Sequence, residues 1–285
     1  MPVAQRFLRP LTRRPRARWI SNQVRAKDRP ARERSRDGAS SSLYSAPHVG
    51  HPQPRVRDPR VTNIDRSIHA RLRRNAVGRR LAPLVLKGER RQLFLGMDDV
   101  LVHDLRKGIP VPDASVDAVY HSHVLEHLDR GAVPAFLSEV RRVLRPGGVH
   151  RVVVPDLEAY AREYLASLER ASRAPQARAQ HDTTVSEMIL QMVRREASGT
   201  SEQASLQRRV ENLLLGDARK RGETHMWMWD RVNLPEVLER AGFRDVQIVD
   251  WQTSCIPDWN EIGLDRDHGG GEYKPESMYV EALAP

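Results

Sequence analysis

Four residues of chemically versatile type fall within seven positions: His121, His123, Glu126 and His127. His123 and His127 stand i, i+4 and would share one face of a helix, a spacing that metal ligands use. An imidazole here could also act as a general base, provided it reaches a proton on an acceptor. The third reading is structural, with the histidines capping and lining the start of a helix. That reading is preferred, and no metal is assigned; His123 and His127 are kept as the catalytic candidates. A second concentration, His225-Met226-Trp227-Met228-Trp229, is expected either to wall a substrate pocket through His225, Trp227 and Trp229 or to be a plain core segment. The single cysteine, Cys255, excludes an internal disulfide and a cysteine-based zinc site.

The elements that must position these groups are read from hydropathy. Ser115–Tyr120 and Val149–Val154 form short apolar runs of the kind that build buried strands. Between them Val133, Phe136, Leu137, Val140, Val143 and Leu144 recur near the 3.6 period of an amphipathic helix. That helix is expected to stop at Arg145-Pro146-Gly147-Gly148, a structural turn. Gln92–Gly96 and Val100–His103 are expected as strands, and 157–171, 181–197 and 203–215 as helices. Asn233–Ala241 reads as a helix, and Arg244–Asp250 and Ser277–Leu283 as the last two strands. Strands alternating with helices point to an α/β fold with a mainly parallel sheet.

Charge divides the chain. Residues 1–91 hold 24 Lys and Arg against 6 Asp and Glu, leaving 23 against 31 for the remainder. The high pI therefore belongs to the front of the chain, and nucleic-acid binding by the acidic body is not expected. Residues 1–60, rich in Arg, Pro and Ser, read as a disordered basic arm. Residues 61–91 read as a basic helix followed by a short strand at Pro83–Leu86. With no apolar run of about 18–20 residues, no membrane span is expected, and a cytoplasmic location follows as the default.

Taken in order, Asp104-Leu105-Arg106-Lys107, Pro110-x-Pro112-Asp113, Asp117–Tyr120, Leu125-Glu126-His127 and Glu139–Gly148 resemble the class I S-adenosylmethionine-dependent methyltransferases of the type 11 subgroup. Gly222–Asp230, Ala241-Gly242-Phe243 and Lys274–Ala282 resemble the closing segments of the same subgroup. The resemblance implies a Rossmann-like sheet flanked by helices, an antiparallel last strand, and a helical insertion or cap over residues 157–222 after the strand ending near Pro155. It implies S-adenosyl-L-methionine as cofactor, with Asp98 on the ribose hydroxyls, Asp104 and Leu105 on the adenine, and His121 and Ser122 near the sulfonium. The implied activity is methyl transfer to a small-molecule or saccharide acceptor. The alternative is a catalytically inactive methyltransferase-like binding or scaffold protein.

One feature of the family is missing from where it is expected. A strand followed by a Gly-x-Gly-x-Gly-like loop, which lets backbone approach the cofactor, should precede Asp98 by about 15–25 residues on the family spacing. The sequence there offers Asn75–Arg80 and Leu84–Glu89, each with one glycine. Either the loop has been remodelled, or the Arg-rich front third stands in a frame other than the ancestral one.

Overall fold

The computed structural model describes residues 19–23, 58–65, 68–86, 91, 94–95, 100–191, 225–267 and 269–285. In chain order the elements begin with β1 (Trp19–Gln23), β2 (Val61–Asp65), α1 (Ile68–Arg74), α2 (Ala76–Val85) and β3 (Val100–Val102). Next come β4 (Val116–Ser122), α3 (Val133–Val143), β5 (Leu144–Pro155), α4 (Leu157–Arg173) and α5 (Arg178–Gln191). The last are α6 (Asn233–Arg240), β6 (Arg244–Val249), α7 (Trp259–Ile262) and β7 (Ser277–Leu283).

The strands form one seven-stranded sheet in the order β3-β2-β1-β4-β5-β7-β6. β1 to β5 run parallel, and β7 inserts antiparallel between β5 and β6. The chain winds outward from β1 through β2 to β3, then returns to β4 on the other side of β1. The reversal creates a switch point between β1 and β4, beyond whose C-terminal ends ligands bind in sheets of this kind. The α/β architecture with a mainly parallel sheet and an antiparallel last strand is thus present.

Between β4 and β5 the sequence pattern translates directly. The apolar stripe of α3 buries Val133, Phe136, Leu137, Val140 and Val143 against the sheet. Each such side chain removed from water contributes about 1.5–3 kcal/mol. The turn at Arg145–Gly148 is a bulge within β5, where the register jumps from Val116↔Leu144 to Ala118↔Val149. Gly147 there has φ of 73°, and a Cβ on Gly148 would stand 2.9 Å from the Arg145 carbonyl oxygen, so both positions favour glycine.

The opposite face of β4 and β5 is covered by the segment between β6 and β7. Ile256, Trp259, Ile262 and Leu264 pack there on Ala118, Tyr120, Val149 and Val153. Arg151, fully buried on β5, ties the segment down. It donates to Asp265, to Glu281 and to the carbonyls of Asp250 and Thr253, with its guanidinium 4.4 Å from the Trp259 ring centroid.

The front of the chain departs from expectation. Within the segment read as a disordered arm, Trp19–Gln23 forms β1, paired on both sides near the middle of the sheet. Pro83–Leu86 is not a strand, since α2 runs through Val85. Of the strand expected at Gln92–Gly96, the described residues Phe94 and Leu95 are helical, as is Arg91 before them, and Phe94 is buried. α4 and α5 occupy the expected helical insertion as far as residue 191; the helix expected at 203–215 lies outside the described residues. No helix among the described residues is long and apolar enough to cross a membrane.

Candidate active site at the C-terminal edge of the sheet

Three parallel strands deliver polar groups to one edge. β2 ends on Asp65, a half-buried carboxylate. β3 ends alongside it, where the His103 N–H donates to the Asp65 carbonyl at 3.2 Å. Asp104 and Leu105 follow in a 3₁₀ turn closed by Lys107 N–H on the Asp104 carbonyl. β4 ends on Ser122, whose buried Oγ has no hydrogen-bond partner among the described residues.

Beyond β4 the backbone turns sharply. His123 takes a left-handed conformation, φ of 53°, rarely adopted by residues other than glycine. Its Nε2 lies 3.0 Å from Ser277 Oγ, and its Nδ1 lies 3.3 Å from Glu126 Oε1. Leu125–His127 is a single 3₁₀ turn. Glu126 is fully buried on it, and neither carboxylate oxygen has a hydrogen-bond partner among the described residues. Burial pushes this carboxyl up, opposed by the charge of Lys274, whose own ammonium burial pushes down. Burial likewise lowers His123, helped by the nearby Lys274, His225 and His127.

The segment after residue 224 crosses this turn. The Glu126 carbonyl accepts from Met226 N–H at 2.6 Å and from Trp227 N–H at 3.2 Å. That anchor sets the His225 ring against His127, with centroids 4.8 Å apart. Trp227 is half-buried under the Arg130 guanidinium, 4.1 Å from its ring centroid.

The structure brings together some of the expected site residues and separates others. Asp104, Leu105 and Ser122 reach the edge, and His123, His127, His225 and Trp227 gather beside it. Asp98 lies outside the described residues; the acid that ends β2 is Asp65. His121 does not face the edge. It is fully buried on the α3 side of the sheet, its Nε2 2.9 Å from His150 Nε2, with Phe136 and Phe243 against the two rings. Trp229 is also fully buried in the core, its backbone bridged to Asp156, and walls no pocket. His123 and His127 do not share a helix face, because His127 ends the 3₁₀ turn while His123 lies before it in a left-handed conformation, turned to Ser277. Lys274 and Ser277, near and at the start of β7, and Asp65 were missed by sequence reasoning. Asp65 ends a five-residue strand with only Val61 and Ile64 large and apolar, three positions apart, so no period-2 pattern marks it.

Residues 60–152 match the family model described as a methyltransferase domain. A protein of Mycolicibacterium smegmatis named as a probable S-adenosylmethionine-dependent methyltransferase is 41% identical over 88 residues, covering 26% of this chain. The match covers 34% of that relative, so the chain spans about a third of its length. Solved structures titled SAM dependent methyltransferase from Archaeoglobus fulgidus and Aquifex aeolicus align at 16% and 14% identity, with TM-scores of 0.34 and 0.32. They cover 78% and 79% of this chain, and 75% and 69% of their own.

Proposed function

We propose, from the membership of residues 60–152 in the methyltransferase domain family of the class I, type 11 kind, that the chain transfers a methyl group from S-adenosyl-L-methionine to a small-molecule or saccharide acceptor. The observation that carries this reading is the delivery of Asp65, Asp104 and Ser122 by β2, β3 and β4 to the edge beside the switch point. The family implies S-adenosyl-L-methionine as the cofactor.

The residues present fit the adenosine half of that group. Asp65 would accept from the two ribose hydroxyls, since one carboxylate can take two hydrogen bonds. Asp104 would take the adenine amino group, with Leu105 against the ring, and the buried Ser122 hydroxyl gains a partner it lacks among the described residues. When bound, the cofactor supplies an electrophilic methyl on a sulfonium. The chain's own task is to hold the acceptor in line with it, and positioning alone can supply about 7–11 kcal/mol of a barrier. His127, His225 and Trp227 would line the acceptor side. His123 has both nitrogens beside Ser277 and Glu126, which suits a role in fixing that wall better than one in moving protons. α4 and α5, which leave the same edge after β5, would narrow the entrance.

A second reading, a methyltransferase-like protein that binds without catalysis, draws on one observation. Between Gln23 and Val61, where the family places its glycine loop after β1, glycine occurs only at positions 38 and 50. Titration calorimetry of the full chain with S-adenosylmethionine and S-adenosylhomocysteine separates the two. Binding that weakens about ten- to a hundredfold in Asp65→Ala and in Asp104→Ala, the worth of hydrogen bonds to a charged group, supports the enzyme reading. Asp98→Ala is expected to change nothing. Absence of binding to a folded chain would overturn the enzyme reading in favour of a scaffold whose sheet serves a partner other than this cofactor.

A further inference from the structure

We infer that Glu126, His127 and His225 form a binding site for one divalent transition-metal ion, zinc being the ion that best suits two imidazoles and a carboxylate. The inference rests on the cluster's geometry and does not depend on the methyl-transfer reading. One ligand atom from each residue lies within 4.8 Å of the others. His127 Nε2 is 3.9 Å from Glu126 Oε1, and the two imidazole rings face each other edge-on at 73°. In a four-coordinate zinc site with bonds of about 2.0–2.1 Å, donors stand about 3.4 Å apart, so the three must draw in by about 0.5 to 1.4 Å. His225 is placed to supply that movement. It belongs to no helix or strand and precedes the Met226 and Trp227 amides that pin its segment to the Glu126 carbonyl.

A second, independent observation points to a ligand. Glu126 is fully buried, yet both of its carboxylate oxygens have no hydrogen-bond partner among the described residues. Buried carboxylates are normally satisfied by hydrogen-bond donors or by a cation, and here the His123 contact at 3.3 Å and the charge of Lys274 offset only part of the burial. The turn that buries it brings its carboxylate within 4.8 Å of nitrogens on two imidazoles, which as neutral rings can offer a lone pair to a metal. Imidazole nitrogen with carboxylate oxygen suits zinc, cobalt and iron over magnesium or calcium, which prefer all-oxygen sites. Three protein donors leave at least one position for water or an acceptor oxygen. His123 fits as outer support: it contacts the Glu126 carboxylate and is itself held by Ser277, the kind of contact that orients a ligating group. Lys274 is the competing positive charge on Glu126, so the site is not expected to be among the tightest.

The test uses tag-free full-length protein freed of metal with a chelator, titrated with cobalt(II) chloride and followed by the visible absorption of the bound ion. One equivalent is expected to produce a ligand-field band typical of four or five coordination, and zinc is expected to displace it. Glu126→Gln and His225→Ala should each weaken cobalt binding about tenfold or more, by comparison with the 10–100-fold cost of losing even an outer contact. His181→Gln, on α5 and bonded to Ser167, should leave it unchanged, and Lys274→Met should tighten it. Circular dichroism of every variant confirms the fold before titration. A folded wild-type chain that gives no band with excess cobalt overturns the inference. So does a band that survives unchanged in both Glu126→Gln and His225→Ala.

Discussion

His121 and His150 share a hydrogen bond in the interior between the sheet and α3, and both rings are fully buried. Burial drives His121 down to about 3, and His150 well below its ordinary value, with the charge of His121 adding to the effect. Both are therefore neutral in the folded protein over the working range, while in the unfolded chain each titrates near 6.5. As pH falls below about 6.5, the unfolded state takes up protons that the folded state refuses, so stability drops. The loss approaches about 1.4 kcal/mol per pH unit for each histidine until the folded pair itself titrates. Urea unfolding between about pH 7.5 and 4 should show this slope. In His121→Leu/His150→Leu it should flatten, and an unchanged slope would assign acid sensitivity to other groups. At neutral pH, His121→Leu alone should cost about 1–3 kcal/mol by leaving His150 without its partner. The strand period makes part of this legible in sequence: in β4, residues 119 and 121 share the face that α3 covers. The partner, 29 residues away on β5, is not legible, and so His121 reads from sequence as a cofactor contact. Glu126 and His225 show the same limit more strongly. Their meeting depends on two backbone amides, at 226 and 227, closing on the Glu126 carbonyl.

At the scale of elements, legibility tracks how local the signal is. α3 and the strands on either side of it declare themselves because their apolar residues sit close together at a clean period. β2 does not, since only Val61 and Ile64 of its five residues are large and apolar. β1 hides among arginines and prolines, and its place is set by pairing with Val61–Asn63 and Ala118–Ser122, far away in sequence. Missing one strand shifts the count by one, so the sequence points to Asp98, which lies outside the described residues, whereas β2 ends on Asp65. The family model matches residues 60–152, a span that begins just before β2. A consequence is testable. A chain lacking residues 1–57 would lose only an arm if that segment stood outside the fold. Because β1 bridges β2 to β4, its removal opens the sheet along two edges and leaves rows of buried N–H and C=O groups unpaired. Such a truncation should lose cooperative thermal unfolding or fail to stay in solution. A truncated chain that melts as the full one does would show that β1 contributes nothing to the sheet.

For the whole molecule, the cofactor reading predicts a linkage between binding and stability that does not require knowing the acceptor. A ligand that binds only the folded chain stabilises it by RT ln(1 + [L]/Kd), about 2.7 kcal/mol at a hundredfold excess over Kd. For a domain of this size, each kcal/mol moves the midpoint by about 2–4 °C, so S-adenosylhomocysteine at that excess should raise Tm by about 5–11 °C. In Asp65→Ala, with Kd about tenfold weaker, the same ligand concentration is only tenfold above Kd and yields about 1.4 kcal/mol. The shift should therefore fall to about half, and the difference should close again when the ligand is raised tenfold. That recovery distinguishes a lost contact from a damaged fold, because a chain misfolded by the substitution gains nothing from more ligand. His225→Ala should keep the full shift, as the adenosine-side acids on β2 and after β3 are separate from the turn that follows β4. If the full chain melts cooperatively with no shift at any ligand concentration, the edge beside β1 and β4 holds no cofactor, and the sheet serves some end other than methyl transfer.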